Sequence, residues 1–155
     1  MAVDGLTPAA VLELIPQQPP FRFVDEIHEL DDEHVVASYR YRPGEFFYPG
    51  HFPGDPITPG VVLIETIAQA GVVALGIYLM AKTVSPEALG RHYKTLFTSA
   101  EAEFHCIVRP DERVTVEAHK QYMRRGKLQV TAALRRADGA VACSGTFAGM
   151  IVRAP

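Results

Sequence analysis

The longest apolar stretch of the chain covers residues 61–81 and contains a single charged residue, Glu65. Valine, leucine, isoleucine and alanine occur on every side of a helix of this length, which is typical of a helix that is buried all round. About 20 apolar residues also suffice to cross a bilayer. Glu65 and Gln69 would, however, be costly in lipid, and basic loops do not flank the stretch. The pattern therefore predicts the core helix of a soluble fold, without a membrane span.

Residues on both sides of this helix follow patterns that favour strands. Before it, two strands are predicted over residues 21–30 and 33–42, joined by a turn at Asp31-Asp32. After it, three turn signals separate four further strands. These signals are Pro110-Asp111, Arg125-Gly126 and Asp138-Gly139, and the strands cover residues 99–108, 112–122, 127–136 and 140–152.

Two shorter segments complete the predicted fold. Thr7 followed by Pro8 is a helix start signal, and residues 9–15 are predicted to form a short helix. Residues 83–90 are predicted to be a polar connection with a turn at Ser85-Pro86. Two strands, a long helix and four strands indicate an α+β fold in which an antiparallel sheet wraps around the central helix. For 155 residues, 48% of them hydrophobic, we expect a single domain over residues 1–155.

The composition argues against some kinds of partner. The net charge of −3 and the pI near 6.0 disfavour nucleic acid. Cys106 and Cys143 lie far apart in strand-like surroundings, so free buried thiols are predicted rather than a disulfide or a metal site. The histidines show no metal-ligand spacing, and the N-terminus lacks the pattern of a signal peptide. We therefore expect a cytoplasmic protein that holds no metal.

A loop rich in glycine and proline precedes the central helix. Residues 50–60 contain three glycines and three prolines, which predicts a rigid and sharply turning segment. Thr58 followed by Pro59 predicts the start of the helix, with Thr58 as the cap. Gly60 then lies in the first turn, where its N–H has no partner within the helix and can approach a ligand oxygen. Asp55 is expected to serve the turn of the loop.

Three groups near this junction have complementary chemistry. His51 can act as a general base, the Gly60 amide can stabilise an oxyanion, and Glu65 in apolar surroundings can act as a general acid. Gln69 lies one helical turn after Glu65, where it can orient the carboxyl group or bond to the backbone. The alternatives are a structural histidine and, for Glu65, a buried salt bridge. A basic residue that would favour the salt bridge is not found nearby in the sequence.

The motif from His51 to Pro56, followed by Pro59-Gly60 and by Glu65 with Gln69, resembles a known active-site signature. The signature is that of β-hydroxyacyl-acyl carrier protein dehydratases of the FabZ type. The N-terminal segment is similar to that family as well, at Ile15-Pro16, Pro20-Phe21 and Val24-Asp25. The resemblance extends over most of the chain up to Ala81.

This resemblance implies a hot-dog fold and a homodimer, or a trimer of such dimers, in which His51 of one chain faces Glu65 of the other. It implies the removal of water from a (3R)-hydroxyacyl thioester on acyl carrier protein, which gives a trans-2-enoyl thioester without a metal or bound organic cofactor. Phe52, Pro59 and Val61 are then expected to lie along the acyl tunnel. Glu rather than Asp at position 65 resembles the branch that dehydrates without isomerising the double bond.

Two departures from the family pattern affect the expected docking of the carrier. Gln17-Gln18 stands where His-Arg is usual, and Glu101 and Glu103 stand where basic residues are common. A basic entrance for an acidic carrier can still be formed. The candidates for it are Arg40, Arg42, His92, Lys94, Arg124, Arg125 and Lys127.

Three other functions are open from the sequence. They are a hot-dog acyl thioesterase in which Glu65 activates water, a non-catalytic acyl-binding module, and a structural partner in a synthase complex. For a dehydratase, the pathway is either fatty-acid synthesis or a specialised route to polyketides or polyenes. Fold alone does not decide between these functions.

Overall fold

The computed structural model describes residues 5–155. Residues 1–4 lie outside this range. They belong to the expected domain and to the N-terminus for which no signal peptide is expected. The described residues form three helices: α1 (Pro8–Leu14), α2 (Gly60–Met80) and α3 (Pro86–His92). They also form six strands: β1 (Glu26–Leu30), β2 (His34–Arg40), β3 (Tyr93–Phe104), β4 (Arg113–Arg124), β5 (Lys127–Arg136) and β6 (Val141–Arg153).

The six strands form one antiparallel sheet in the order β1-β2-β4-β5-β6-β3. Bulges interrupt the register of four strand pairs: β1 with β2, β3 with β6, β4 with β5, and β5 with β6. Bulges bend strands and increase their twist, which lets the sheet curve around α2. This arrangement is the hot-dog fold, so the prediction of an α+β protein with a sheet around a central helix is confirmed.

Helix α2 fills the space inside the curved sheet. Ile67, Ala74 and Leu75 are fully buried, and a Cβ added at Gly71 would lie 3.0 Å from the Cβ of Ala118 on β4. The helix is long and apolar enough to cross a membrane, but 78% of its most apolar window is buried inside the fold. Its apolar surface therefore forms the protein core.

A wide turn divides α2 into two parts. Gly60–Ile67 and Ala74–Met80 are α-helical, whereas Ala68–Val73 form a π-helical turn. The sequence did not predict this turn. π-helical turns are rare and occur frequently at functional sites. Here the turn contains Gln69 and directly follows the α-helical turn that carries Glu65.

The first predicted strand is too long at its N-terminal end. Residues 21–25 are not part of the sheet, and β1 begins at Glu26. The backbone N–H of Phe23 donates to the side chain of Gln69 at 2.7 Å, so its hydrogen bond goes to α2 rather than to a neighbouring strand. A contact between residues so distant in sequence overrides the local strand propensity.

The prediction of a polar connection over residues 83–90 is wrong, because most of it is helix α3. Ser85 caps this helix by accepting a hydrogen bond from the N–H of Ala88 at 3.2 Å, and Pro86 occupies the first turn. Thr7 and Pro8 start α1 in the same way. Ser85-Pro86 is therefore a helix start signal of the same kind as Thr7-Pro8.

Strand β3 begins and ends earlier than predicted, at Tyr93 and Phe104. Helix α3 leads directly into it, and a bulge between Phe97 and Ser99 interrupts the alternation on which the prediction relied. β3 lies at the edge of the sheet, and nearly all of its side chains are exposed. A long apolar edge strand is a surface that proteins usually cover.

Replacing Gly145 by alanine is expected to destabilise the protein strongly. Gly145 on β6 lies opposite Ala102 on β3, and an added Cβ would overlap the carbonyl oxygen of Glu101 and approach the Cα of Ala102 to 2.9 Å. Because the backbone of a paired strand yields less than a side chain, the cost should reach or exceed the upper end of the roughly 1–3 kcal/mol typical of overpacking. Urea denaturation measures this cost.

Gly44→Ala is the matched control, because a Cβ added at Gly44 meets no atom within 4 Å. Equal unfolding midpoints for the two variants would contradict the close approach of β3 and β6 at Gly145.

Candidate active site

The loop before α2 is held in place from several sides. Thr58 donates its N–H to the carbonyl oxygen of Val108 at 2.9 Å, and its hydroxyl is 2.7 Å from the hydroxyl of Tyr48. Asp55 forms an ion pair with Arg109 at 3.0 Å. Thr58 does not cap the helix as predicted: Pro59 is the N-cap, and the hydroxyl of Thr58 is used by Tyr48 instead. The loop is thus fixed to the segment between β3 and β4.

Hydrogen bonding defines the tautomer of His51. Its Nδ1 is 2.8 Å from the carbonyl oxygen of Ile57, and a carbonyl oxygen only accepts hydrogen bonds. In the neutral ring Nδ1 therefore carries the proton and Nε2 is left with a free lone pair. The ring stacks on Phe52 with centroids 4.1 Å apart, across a cis peptide bond. Nε2 is thus the ring nitrogen of His51 that is left free to accept a proton.

Gly60 is the first residue of α2. An N–H in this position has no acceptor within the helix and lies at the positive end of the helix dipole. The ring of Phe104 on β3 lies directly beside it, so that a Cβ added at Gly60 would lie 3.0 Å from the Cε1 and Cζ atoms of Phe104. Glycine therefore permits close contact at the N-terminus of the helix.

The side chain of Gln69 fixes the carboxyl group of Glu65. Gln69 is fully buried, and its Oε1 accepts from the N–H of Phe23 at 2.7 Å. Its Nε2 donates to the carbonyl oxygen of Phe21 and to Oε1 of Glu65, both at 2.8 Å. The bond from Phe23 identifies which end of the amide is oxygen, so the other end must donate to Glu65. Gln69 thus bonds to the backbone and orients Glu65 at the same time.

Burial raises the pKa of Glu65 above its ordinary value of 4.5, and the hydrogen bond from Gln69 opposes this rise. Desolvation disfavours the charged form of a carboxyl group, whereas a donor to that group favours it. Ion pairs between described residues do not include Glu65. The salt-bridge alternative therefore has no support here, and the protonated form of Glu65 persists to higher pH than is usual.

Glu65 opens onto a small cavity between α2, β3 and β6 with a volume of about 50 Å³. Its walls include Ala68, Val72 and Val73 from the helix and Phe97 from β3. The largely apolar walls beside a carboxyl group can contact a hydrocarbon group of a ligand.

Not all of the predicted site residues lie together in one chain. Glu65 and Gln69 are joined by a hydrogen bond, but His51 is not among the described residues that line the Glu65 cavity. The three residues expected along the tunnel do not line it either: Phe52 and Val61 are 50% and 74% exposed, and Pro59 is buried. Phe52 is instead exposed on the loop before α2, and Val61 is exposed in the first turn of the helix.

Sequence reasoning missed the residues that hold the loop. Tyr48 and Arg109 reach Thr58 and Asp55 through side-chain contacts, and Val108 accepts a backbone hydrogen bond. Arg109 and Val108 are distant in sequence, and no local signal identified them. Gln17 was noted only as a departure from a family pattern, yet it lines the cavity beside Glu65.

Metal-ligating residues do not cluster in the described part of the chain. Within residues 5–155, groups of three or more histidine, cysteine, aspartate or glutamate side chains that could hold a metal ion are absent. Cys106 and Cys143 are both free, and Cys143 is buried.

The sheet, the central helix and the two groups of site residues define a hot-dog-fold protein. A family model described as "FabA-like domain" matches residues 15–146, and the chain belongs to this family. It is also 34% identical over 144 residues to the 3-hydroxyacyl-[acyl-carrier-protein] dehydratase FabZ of Lactobacillus helveticus, covering 90% of this chain and 88% of that protein. The FabZ of Acidiphilium cryptum is 32% identical over 146 residues, covering 93% and 84%.

Solved structures support the fold. The dehydratase heterocomplex ApeI:P from Xenorhabdus doucetiae matches with a TM-score of 0.73 at 13% identity, covering 94% of this chain and 91% of that chain. A hypothetical thioesterase from Streptococcus pneumoniae, solved with coenzyme A, matches with a TM-score of 0.58 at 13% identity, covering 84% and 88%. Both show that the architecture is shared. Because one fold can carry different activities, the activity has to be inferred from the site residues.

The Glu65→Gln variant is expected to become more stable than the wild type as the pH rises. The pKa of Glu65 is higher in the folded protein than its ordinary value of 4.5. The protonated carboxyl therefore contributes fully to the free energy of unfolding below pH 4.5, and this contribution is lost as the pH rises through the pKa of the folded protein. Glutamine does not titrate. The difference in the free energy of unfolding should therefore be small near pH 4 and widen toward pH 8, as measured by urea denaturation.

Glu13→Gln on the exposed side of α1 removes the same charge without burial and serves as the control. A difference between Glu65→Gln and wild type that does not change with pH would contradict the buried state of Glu65.

Proposed function

We propose that this chain dehydrates (3R)-hydroxyacyl thioesters carried by acyl carrier protein and produces trans-2-enoyl thioesters. The observation that carries the proposal is the partly buried carboxyl of Glu65, which is held by Gln69 and opens onto a largely apolar cavity. The names of the FabZ relatives point to the same reaction. A fatty-acid pathway and a cytoplasmic location fit those relatives. A specialised polyketide or polyene pathway is the alternative, which is tested with a panel of substrates.

The three groups have separate roles in this reaction. His51 Nε2 removes the proton next to the thioester carbonyl, and the Gly60 N–H stabilises the negative charge that develops on the carbonyl oxygen. Glu65, whose pKa is raised by burial, donates its proton to the departing hydroxyl. Each acid or base role contributes roughly 10²- to 10⁴-fold to the rate. Neither a metal nor an organic cofactor is required by these steps.

A homodimer accounts for the separation of His51 from the Glu65 cavity. Edge strand β3 exposes Leu96, Phe97 and Phe104, and the loop and helix start expose Phe52 and Val61. Exposed apolar patches of this kind mark interaction surfaces. A second copy that covers β3 brings its own His51 loop to the cavity, and Phe52, Pro59 and Val61 then line the tunnel from the partner side. A trimer of such dimers is a further prediction.

Replacing His51 by alanine or Glu65 by glutamine is expected to reduce dehydration by about 10²- to 10⁴-fold. Mass spectrometry of a panel of (3R)-hydroxyacyl carrier-protein thioesters measures the loss of water and also the release of free acid. An inactive wild type on every chain length, or a fully active Glu65→Gln, would contradict the proposal. Release of free acid instead of water would favour the thioesterase.

Mixing the two inactive variants tests the shared site. In a dimer of one His51→Ala chain and one Glu65→Gln chain, one of the two sites keeps both groups if each site is shared. Equal mixing with subunit exchange should then restore about a quarter of the wild-type activity, since half of the dimers are mixed and each has one intact site. No recovery after verified exchange would place both groups within one chain.

The acidic carrier is proposed to dock on a basic surface at one end of the sheet. Lys94 is the second residue of β3, Arg124 and Lys127 flank the β4–β5 turn that contains Arg125, and Lys127 lies opposite Met150 on β6. These four basic residues form no ion pair with described carboxylates. Two other candidates from the sequence, Arg40 and Arg42, are paired with Asp111 and Asp25.

Reversing the charge of Arg124 and Arg125 to glutamate is expected to raise KM for carrier-bound substrate by about tenfold with kcat nearly unchanged. Two surface ion pairs of up to about 1 kcal/mol each give an effect of this size. Turnover of the corresponding pantetheine thioester should not change. Arg135→Glu, at the far end of β5, is the control. An equal rise in KM for both substrates would contradict carrier docking at this surface.

A further inference from the structure

Two small cavities lie one after the other between α2 and the edge of the sheet. The cavity beside Glu65 is lined on its helix side by Val72 and Val73. A second cavity, with a volume of about 20 Å³, is lined by Ile77 on the next turn of α2. Thr95 on β3 lines both cavities. The two spaces are therefore neighbours, and Thr95 lies at their common boundary.

The pairing of β3 with β6 gives the same order. Phe97 and Gly149 lie opposite each other and line the first cavity. Two residues away along both strands, Thr95 lies opposite Ile151, which lines the second cavity. Residues two apart on a strand point to the same face of a sheet. The helix and both strands thus pass the two cavities in one order, so the cavities form a row that leads away from Glu65.

The side chains of Thr95 and Ile151 lie where one cavity ends and the next begins, and we call them the partition. A Cβ added at Gly149 would lie 3.0 Å from the Cγ2 methyl of Thr95, which therefore covers the wall of the first cavity. A Cβ added at Gly76 would lie 3.1 Å from Cδ1 of Ile151. Ile151 thus reaches from β6 to α2 just before Ile77, at the start of the second cavity.

We infer that the partition of Thr95 and Ile151 limits the length of the acyl chain that the protein accepts. The inference rests on the proposed dehydration and adds its substrate class, which is short (3R)-hydroxyacyl thioesters. With the β-hydroxyl at Glu65, the carbons beyond the β-carbon extend along the first cavity toward Thr95. A volume of about 50 Å³ holds roughly four groups of the size of a water molecule or a methylene. Longer chains meet the partition.

Binding measurements test the partition independently of turnover. Isothermal titration calorimetry gives the Kd values of saturated acyl pantetheine thioesters of increasing length. Each methylene that enters an apolar cavity strengthens binding by about fourfold. For the wild type this gain should stop at about four carbons beyond the β-carbon. Ile151→Ala removes the part of the partition that reaches α2 and joins the two cavities, so two further methylenes should together strengthen binding by roughly tenfold or more.

Thr95→Ser removes only the Cγ2 methyl and keeps the hydroxyl group. It should admit about one further carbon, which corresponds to a gain of about fourfold. Val152→Ala is the matched control, because Val152 follows Ile151 on β6 and points to the opposite face of the sheet. Its dependence of Kd on chain length should equal that of the wild type.

The same variants are compared in kcat/KM for dehydration of (3R)-hydroxyacyl carrier-protein thioesters, where the preferred chain should lengthen in the same order. If folded Ile151→Ala and Thr95→Ser both keep the wild-type dependence on length, the inference is overturned, and Thr95→Ser decides alone if Ile151→Ala does not fold. Wild-type affinity that keeps rising well beyond the predicted length also overturns it. Absence of dehydration by wild type would instead overturn the proposed reaction, while the Kd series would still report on the partition.

Discussion

The buried amide of Gln69 is the interaction on which the rest of the site depends. It satisfies the backbone of Phe23 and Phe21 and the carboxyl of Glu65 with one side chain. Because the two backbone bonds fix the orientation of the amide, the donor toward Glu65 is fixed as well. The segment before β1 makes these bonds to α2 instead of joining the sheet. Packing and chemistry are therefore set by the same three contacts.

The two proposed catalytic groups belong to parts of the chain that are stabilised separately. Glu65 is positioned by the helix and by Gln69, whereas His51 is positioned by a loop that is tied to the β3–β4 connection through Val108 and Arg109. Each part is rigid by itself. The edge strand and the exposed apolar side chains around it supply the surface on which two such parts from different chains can meet.

Local signals in the sequence predicted much of the fold. Strand β5 was predicted over its full length because turn residues bound it on both sides, and the central helix was predicted because its apolar run is continuous. The errors have physical causes: residues 21–25 bond to Gln69 across the fold, and Thr58 bonds to Tyr48 instead of capping α2. The contact between Glu65 and Gln69 was predictable because both lie on one helix. The cavity and Gln17 were not, because they depend on how distant segments pack.

The π-helical turn of α2 has a consequence for the length of the chain. A π-helical turn accommodates one residue more than an α-helical turn, and one residue corresponds to about 100° of rotation around an α-helix. The half that follows Val73 is therefore rotated about the axis relative to a regular continuation of the half that carries Glu65. Residues 68–73 thus set the rotation of Leu75 around the helix axis relative to Glu65. The number of residues between Glu65 and Leu75 is therefore constrained as well as the type of residue at each position.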